Sequence, residues 1–180
     1  MSGFEKLFWG FLFLLDFRLQ GFDILPDAIG YFLFYSGLED LMAQNSLFAR
    51  ARMYALPLMA LSLFDIYQAS KPASGINLSI ESWPFMIIGL AMAVLNLMIV
   101  YHLCTGVAKM ARAKGLVSLR TTAETRWRYY LGANLALLII TPLVLLVPLL
   151  SLVLIMPVFI IMIVVIILMM ALMKQAGQEL

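Results

Sequence analysis

Charge is scarce in this sequence. Lys, Arg, Asp and Glu together make up 12% of its 180 residues, whereas a soluble globular chain carries about a quarter. Hydrophobic residues fill 64% of the positions and the mean hydropathy is +1.00. A domain of this size in water could not hide so much apolar surface, because surface shrinks too slowly relative to volume. The expected solvent is therefore lipid. Cysteine is nearly missing: Cys104 stands alone, which excludes an internal disulfide framework and a thiolate metal cluster. His102 is likewise single, so a zinc site is not expected, and an imidazole bonded to a carbonyl is the ordinary reading. No H-E-x-x-H, G-x-S-x-G or glycine-rich phosphate loop occurs, so no catalytic residue or cofactor is assigned and the chain is read as non-enzymatic. The formal net charge of +2 is close to neutral, and no nucleic-acid partner is expected.

Long apolar runs are what the chain does have. The uncharged run from Tyr129 to Met173 would, as one helix, be about twice the bilayer thickness, so it must fold back. Pro148 and Ser151 are the natural turn, which separates helices at about 122–147 and 149–173. Pro84 to Tyr101 forms another span, with Ser82 as cap and Pro84 in the first turn. Nothing breaks it before Gly115, so a helix over about 83–113 passes beyond the membrane. Thr121 with Glu124 reads as a capping box for the next helix. Upstream, three shorter apolar segments give helices at about 4–20, 24–43 and 51–69, separated by Gly21 and Pro26 and followed by a polar loop near Ser74. The first two are alternatively a re-entrant hairpin. Leu7 to Leu15 is not a secretory signal, since Asp16 and Arg18 follow with no small-x-small site. The expected fold is an all-α polytopic bundle of six transmembrane helices in a single domain.

The cations set its orientation. With both termini cytoplasmic, ten Lys and Arg lie inside and only Arg18 and Lys71 outside, the bias of the positive-inside rule.

Two groups of residues are candidates for function. Asp16, Arg18, Asp23, Asp27 and Asp65 gather toward the outer part of the first half. Asp16 is about 15 Å above Lys6 by helical rise, near mid-membrane, and Asp65 is slightly higher above Arg52. Charges at that depth face a bundle interior or water, and Arg18 is the cation available to pair with them. One reading is a polar pocket for a cation, proton or small cationic solute, built from an Arg18–Asp65 pair beside an exchangeable Asp16. The other places the acids at the interface, with Asp23 or Asp27 favouring the positive start of the second helix. The second group is basic: Lys109, Arg112, Lys114, Arg120, Arg126 and Arg128 on a cytoplasmic hairpin, suited to anionic lipid headgroups or to a cytosolic partner. Gly89-x-x-x-Ala93 and Gly132-x-x-x-Ala136 would allow close helix approach, and Asn96 and Asn134 could bond between helices. The methionines of the sixth helix suit adaptable packing.

Asp16-Phe17-Arg18-Leu19 and then Gly21 to Tyr31, with its D-I-L-P-D-x-I-G-Y segment, resemble small uncharacterised polytopic membrane proteins of Gram-positive bacteria. The likeness covers the first third of the chain. It implies a bacterial plasma-membrane protein and carries no activity or functional residues with it. In size and span count the chain is also similar to the substrate-binding subunits of energy-coupling-factor transporters, without their sequence marks. The functional expectation is a solute-binding or transport-type membrane subunit. The alternatives are an accessory, sensor or immunity protein that binds another membrane protein, and an intramembrane enzyme.

Overall fold

The computed structural model describes residues 2–14, 18–19, 22–23, 27–69, 83–146 and 151–180, with only the backbone at the far ends of the longer helices. Six helices carry the fold: α1 Gly3–Phe13, α2 Asp27–Leu41, α3 Ser46–Ala69, α4 Trp83–Ala113, α5 Val117–Leu146 and α6 Ser151–Glu179. Between α1 and α2 a two-residue antiparallel ladder joins β1 Arg18–Leu19 to β2 Phe22–Asp23, with Arg18 opposite Asp23 and Leu19 opposite Phe22.

Local chemistry accounts for the ends. Ser2 Oγ accepts the Glu5 N–H at 3.3 Å while the Ser2 N–H donates to Glu5 Oε2 at 2.8 Å, a reciprocal capping box for α1. Asn45 Oδ1 accepts the Leu47 N–H at 3.0 Å and starts α3. Gly115, at φ +73°, stops α4. Its N–H reaches the Arg112 carbonyl at 3.2 Å and the Leu116 N–H the Ala111 carbonyl at 2.8 Å, the paired bonds of a Schellman turn.

That turn moves the start of α5 from where the sequence put it. The helix begins at Val117, and the Thr121 hydroxyl donates to the Val117 and Ser118 carbonyls, so Thr121 is interior and caps nothing. Glu124 pairs instead with Arg120 one turn earlier. The first helix is also shorter than expected. Its 11 residues end at Phe13, which gives about 16 Å of helix against a hydrocarbon core of about 30 Å. The turn expected at Pro148 falls outside the described residues, but α5 ends at Leu146 and α6 starts at Ser151 on either side of it.

Each helix packs on its neighbours in sequence, and α1 closes on α6, so the described helices form a ring. Among the described side chains, the buried ones gather toward one end of it. They occupy α1 and α2, the first part of α3 (Phe48 to Leu58), the last part of α4 (Ile99 to Ala111), the first part of α5 (Leu119 to Ala133) and the last part of α6 (Val165 to Ala176). Phe48 fills the middle there, edge-on to the Phe4 ring at 6.4 Å and tight against Gly106. Phe11 and Phe34 pack edge to face at 4.8 Å. This end is plugged rather than hollow. Toward the other end, Leu90, Val94, Leu138, Ile139, Phe159 and Ile160 are exposed.

Two helical stretches, Ile87–Ala113 and Met156–Glu179, have mean hydropathies of 2.1 and 3.1 and are long and apolar enough to cross a bilayer. Their most apolar windows are only 28% and 33% buried, so most of that apolar surface faces outward. A soluble core helix would do the opposite.

Four glycines bring α1 and α2 into close backbone approach. A Cβ on Gly3 would lie 2.8 Å from the Gly37 carbonyl, and one on Gly10 would lie 3.2 Å from the Gly30 carbonyl. Gly89 and Gly132 have nothing within 4 Å of such a Cβ, so the close approach expected at those two positions is not made among the described residues.

Candidate functional site

Of the acidic group, the described backbone includes Asp23, Asp27 and Asp65. Asp16 is outside the described residues. Asp65 lies in the last turns of α3, about 28 Å above Ser46 by helical rise. The ladder places Arg18 opposite Asp23 in backbone register. Asp27 is the first residue of α2 and half-buried, a position where a carboxylate meets the positive helix start. An open sheet edge of this kind has unpaired backbone groups and is tolerated at membrane depth only against protein or water.

The basic group divides in two. Arg126 turns inward and donates from Nη1 to the Leu168 carbonyl, tying α5 to α6, and Lys114 donates to the Leu180 carbonyl. The other four, Lys109, Arg112, Arg120 and Arg128, line one groove of about 270 Å3 between α4 and α5, together with Cys104, Thr105, Ala108, Glu124 and Trp127. Helical spacing explains the selection. Lys109 and Arg112 are three residues apart on α4, while Arg120, Glu124 and Arg128 follow each other at four on α5. Arg120 Nε and Glu124 Oε1 are 2.8 Å apart, so one cation of the four is paired inside the groove. Trp127 continues into a row of rings, with Tyr101 at 5.3 Å, then His102 at 5.3 Å and Tyr54 at 5.5 Å. His102 itself is buried, with Nδ1 2.7 Å from the Met98 carbonyl, as its isolation in the sequence suggested.

Other polar contacts brace the plugged end. Lys6 Nζ donates to Asp40 Oδ2 at 2.7 Å and to Ser36 Oγ at 3.0 Å, across α1 and α2. Arg52 on α3 donates to Glu39 Oε1 at 3.0 Å and to the Tyr35 hydroxyl, with its guanidinium 4.3 Å from the Tyr35 ring centre. These braces were not singled out from sequence. Glu39 and Asp40 look like ordinary solvated acids, and only the helix packing shows what they meet. Asn134 bonds the Tyr130 carbonyl of its own helix at 2.8 Å rather than a neighbouring helix. Met169 and Met173 of α6 are fully buried, in keeping with a packing role. A second groove of about 550 Å3 runs between α1 and α6, lined by Phe4, Phe8, Trp9, Met173 and Lys174 among others. Among the described residues no three His, Cys, Asp or Glu converge as a metal site would require.

Compared with family models, with curated proteins and with solved structures, the chain matches none of them.

Proposed function

We propose that the chain is a polytopic six-helix integral protein of a bacterial plasma membrane, with both ends cytoplasmic and the short α1–α2 hairpin entering the bilayer part-way, and that it binds a cation, proton or small cationic solute as a transport-type membrane subunit. The observation that supports this most is the one-sided packing. Aromatic and aliphatic side chains plug the ring at the end where the α2–α3 and α4–α5 turns lie, and the opposite halves of α4, α5 and α6 are largely exposed. The plugged end also carries most of the Lys and Arg, so it takes the cytoplasmic side. The α1–α2 hairpin rises toward the looser end and bears Arg18 and Asp23 on a short ladder whose edges call for water or protein. A hydrated vestibule open to the outside meets that requirement and gives Asp16 and Asp65 a place to exchange a cation.

Single cysteines in place of Asp16 and Asp65, in a Cys104→Ala background, test the vestibule. Both should react with a membrane-impermeant thiol reagent added to intact cells. Silence at both positions, with labelling only after the cells are opened, would sink the outward vestibule.

An accessory role, binding another membrane protein, is the second reading. It is favoured by Gly89 and Gly132, whose surroundings are empty and leave two small-residue faces unfilled. Purification in mild detergent followed by mass spectrometry decides it: a stoichiometric membrane partner supports this reading, and a chain that purifies alone counts against it.

A further inference from the structure

The groove between α4 and α5 has a composition that the vestibule does not use. Lys109, Arg112, Arg120 and Arg128 face a shared space of about 270 Å3 against a single carboxylate, Glu124, which is held by Arg120. Four cations against one acid leave the groove strongly positive, and three of the four are guanidinium groups able to grip a phosphate with two parallel hydrogen bonds. Trp127 lies in the same wall. Its amphipathic ring is of the kind that settles at headgroup level in a bilayer.

What surrounds the groove decides what fits it. Stepping along α4 from Lys109 in threes and fours leads through Thr105, Tyr101, Met98 and Val94 to Leu90, one continuous helix face. Tyr101, Met98, Val94 and Leu90 are all exposed. On α5 the matching face runs from Arg128 through Leu131 to Leu135 and Leu138, the last two also exposed. The cationic groove thus opens at one end into two apolar tracks on adjacent helices. A soluble phosphate would satisfy the cations and leave the tracks bare. A molecule with a phosphate head and two acyl chains covers both.

We propose that this groove is a headgroup site for an anionic glycerophospholipid, the phosphate held by Lys109, Arg112 and Arg128 and the acyl chains lying along α4 and α5. The site is distinct from the acidic vestibule, and it rests on the proposed membrane reading because it needs the groove at the cytoplasmic bilayer surface.

The test uses the full chain in nanodiscs that contain phosphatidylcholine and phosphatidylglycerol, with native mass spectrometry to count the lipid retained after release. The intact chain should retain phosphatidylglycerol in preference to phosphatidylcholine. Lys109→Gln with Arg112→Gln should reduce that retention by about tenfold or more, since a direct hydrogen bond to a charged phosphate is worth about that much. Both side chains are exposed, so the fold should tolerate the change. Arg50→Gln with Lys174→Gln removes the same charge outside the groove and should alter retention less than twofold. An equal loss in that control would mean diffuse surface attraction and overturn the proposal. Displacement of phosphatidylglycerol by millimolar inorganic phosphate would assign the groove to a soluble anion and overturn it as well. A nanodisc-embedded chain with no lipid preference overturns this site alone. A chain that stays in solution without lipid or detergent overturns the membrane reading and the site together.

Discussion

Gly3 and Gly37 press against each other's backbones: a Cβ on Gly37 would stand 2.7 Å from the Gly3 carbonyl, and one on Gly3 would stand 2.8 Å from the Gly37 carbonyl. Gly10 and Gly30 repeat the arrangement two turns further on. Seven residues separate the glycines on each helix, so all four share the facing stripe of an antiparallel pair. The pairing lets α1 and α2, at 11 and 15 residues, hold together over a short length. In the proposed bilayer setting, close backbone approach would take the place of the hydrophobic drive that lipid removes.

Gly37→Ala should therefore lower the thermal unfolding midpoint in detergent, because the added methyl has nowhere to go and overpacking costs about 1–3 kcal/mol. Gly89→Ala and Gly132→Ala serve as controls. Both sit in helices with open space around them, and alanine there should be neutral or stabilising by up to about 1 kcal/mol. Equal destabilisation at all three positions would remove the special status of the glycine seam.

Phe48 and Gly106 should behave as one unit. A Cβ on Gly106 would lie 2.7 Å from the edge of the Phe48 ring, which also meets Phe4. Gly106→Ala alone should destabilise, and in a Phe48→Leu background it should cost less. The expected coupling is about 0.5–3 kcal/mol, as found for residues in direct contact. Strict additivity in a thermal-unfolding cycle would show that the ring relaxes without loss.

The two arginines flanking Trp127 should separate in the same assay. Arg126 donates to the Leu168 carbonyl on α6, and a bond to a charged group is worth about 1.5–3 kcal/mol. Arg126→Gln should shift the midpoint down measurably, while Arg128→Gln, on the exposed groove wall, should leave it within about 0.5 kcal/mol. The reverse order would contradict the division of the basic cluster.

Orientation is testable without knowing the ligand. In a Cys104→Ala background, single cysteines at Gln44, Ser74 and Ser118 should be treated with an impermeant thiol reagent on sealed cells. Position 74 should react, and 44 and 118 should not, because the basic turns belong inside. Gln44 serves better than Asn45, whose side chain caps α3. Labelling at 118 in sealed cells would invert the arrangement.

Residues with a single physical solution were readable from the sequence. Gly115 ends α4 because little else tolerates a positive φ, and the bounds of α4 follow from its uninterrupted apolar run. His102, alone among its kind, had a carbonyl as its natural partner. Patterns that fit two solutions were not readable. A Thr-x-x-Glu spacing suits a capping box and equally suits neighbouring turns inside a helix, and Thr121 and Glu124 took the second. Small residues four apart say that a helix can approach, not that one is there, and nothing described stands against Gly89 or Gly132. The glycine seam did leave a trace: 3 with 37 and 10 with 30 have equal sums, the arithmetic of an antiparallel contact. Nothing in Leu14-Leu15 announces the end of α1 at Phe13, since the apolar run continues past it. The six cations looked like one patch because a linear reading cannot tell which of them find partners on α6.

The closure of α1 on α6 has a consequence for biosynthesis. Phe4 packs on Gly177, so α1 shares a seam with α6, the described helix farthest from it along the chain. That seam cannot form until all the intervening helices have been made. Until α6 is made the α1 face carrying Phe4 stays uncovered, and arrival of α6 completes the ring. A chain interrupted before α6 keeps that face open, so truncation at the far end of the sequence is felt at α1.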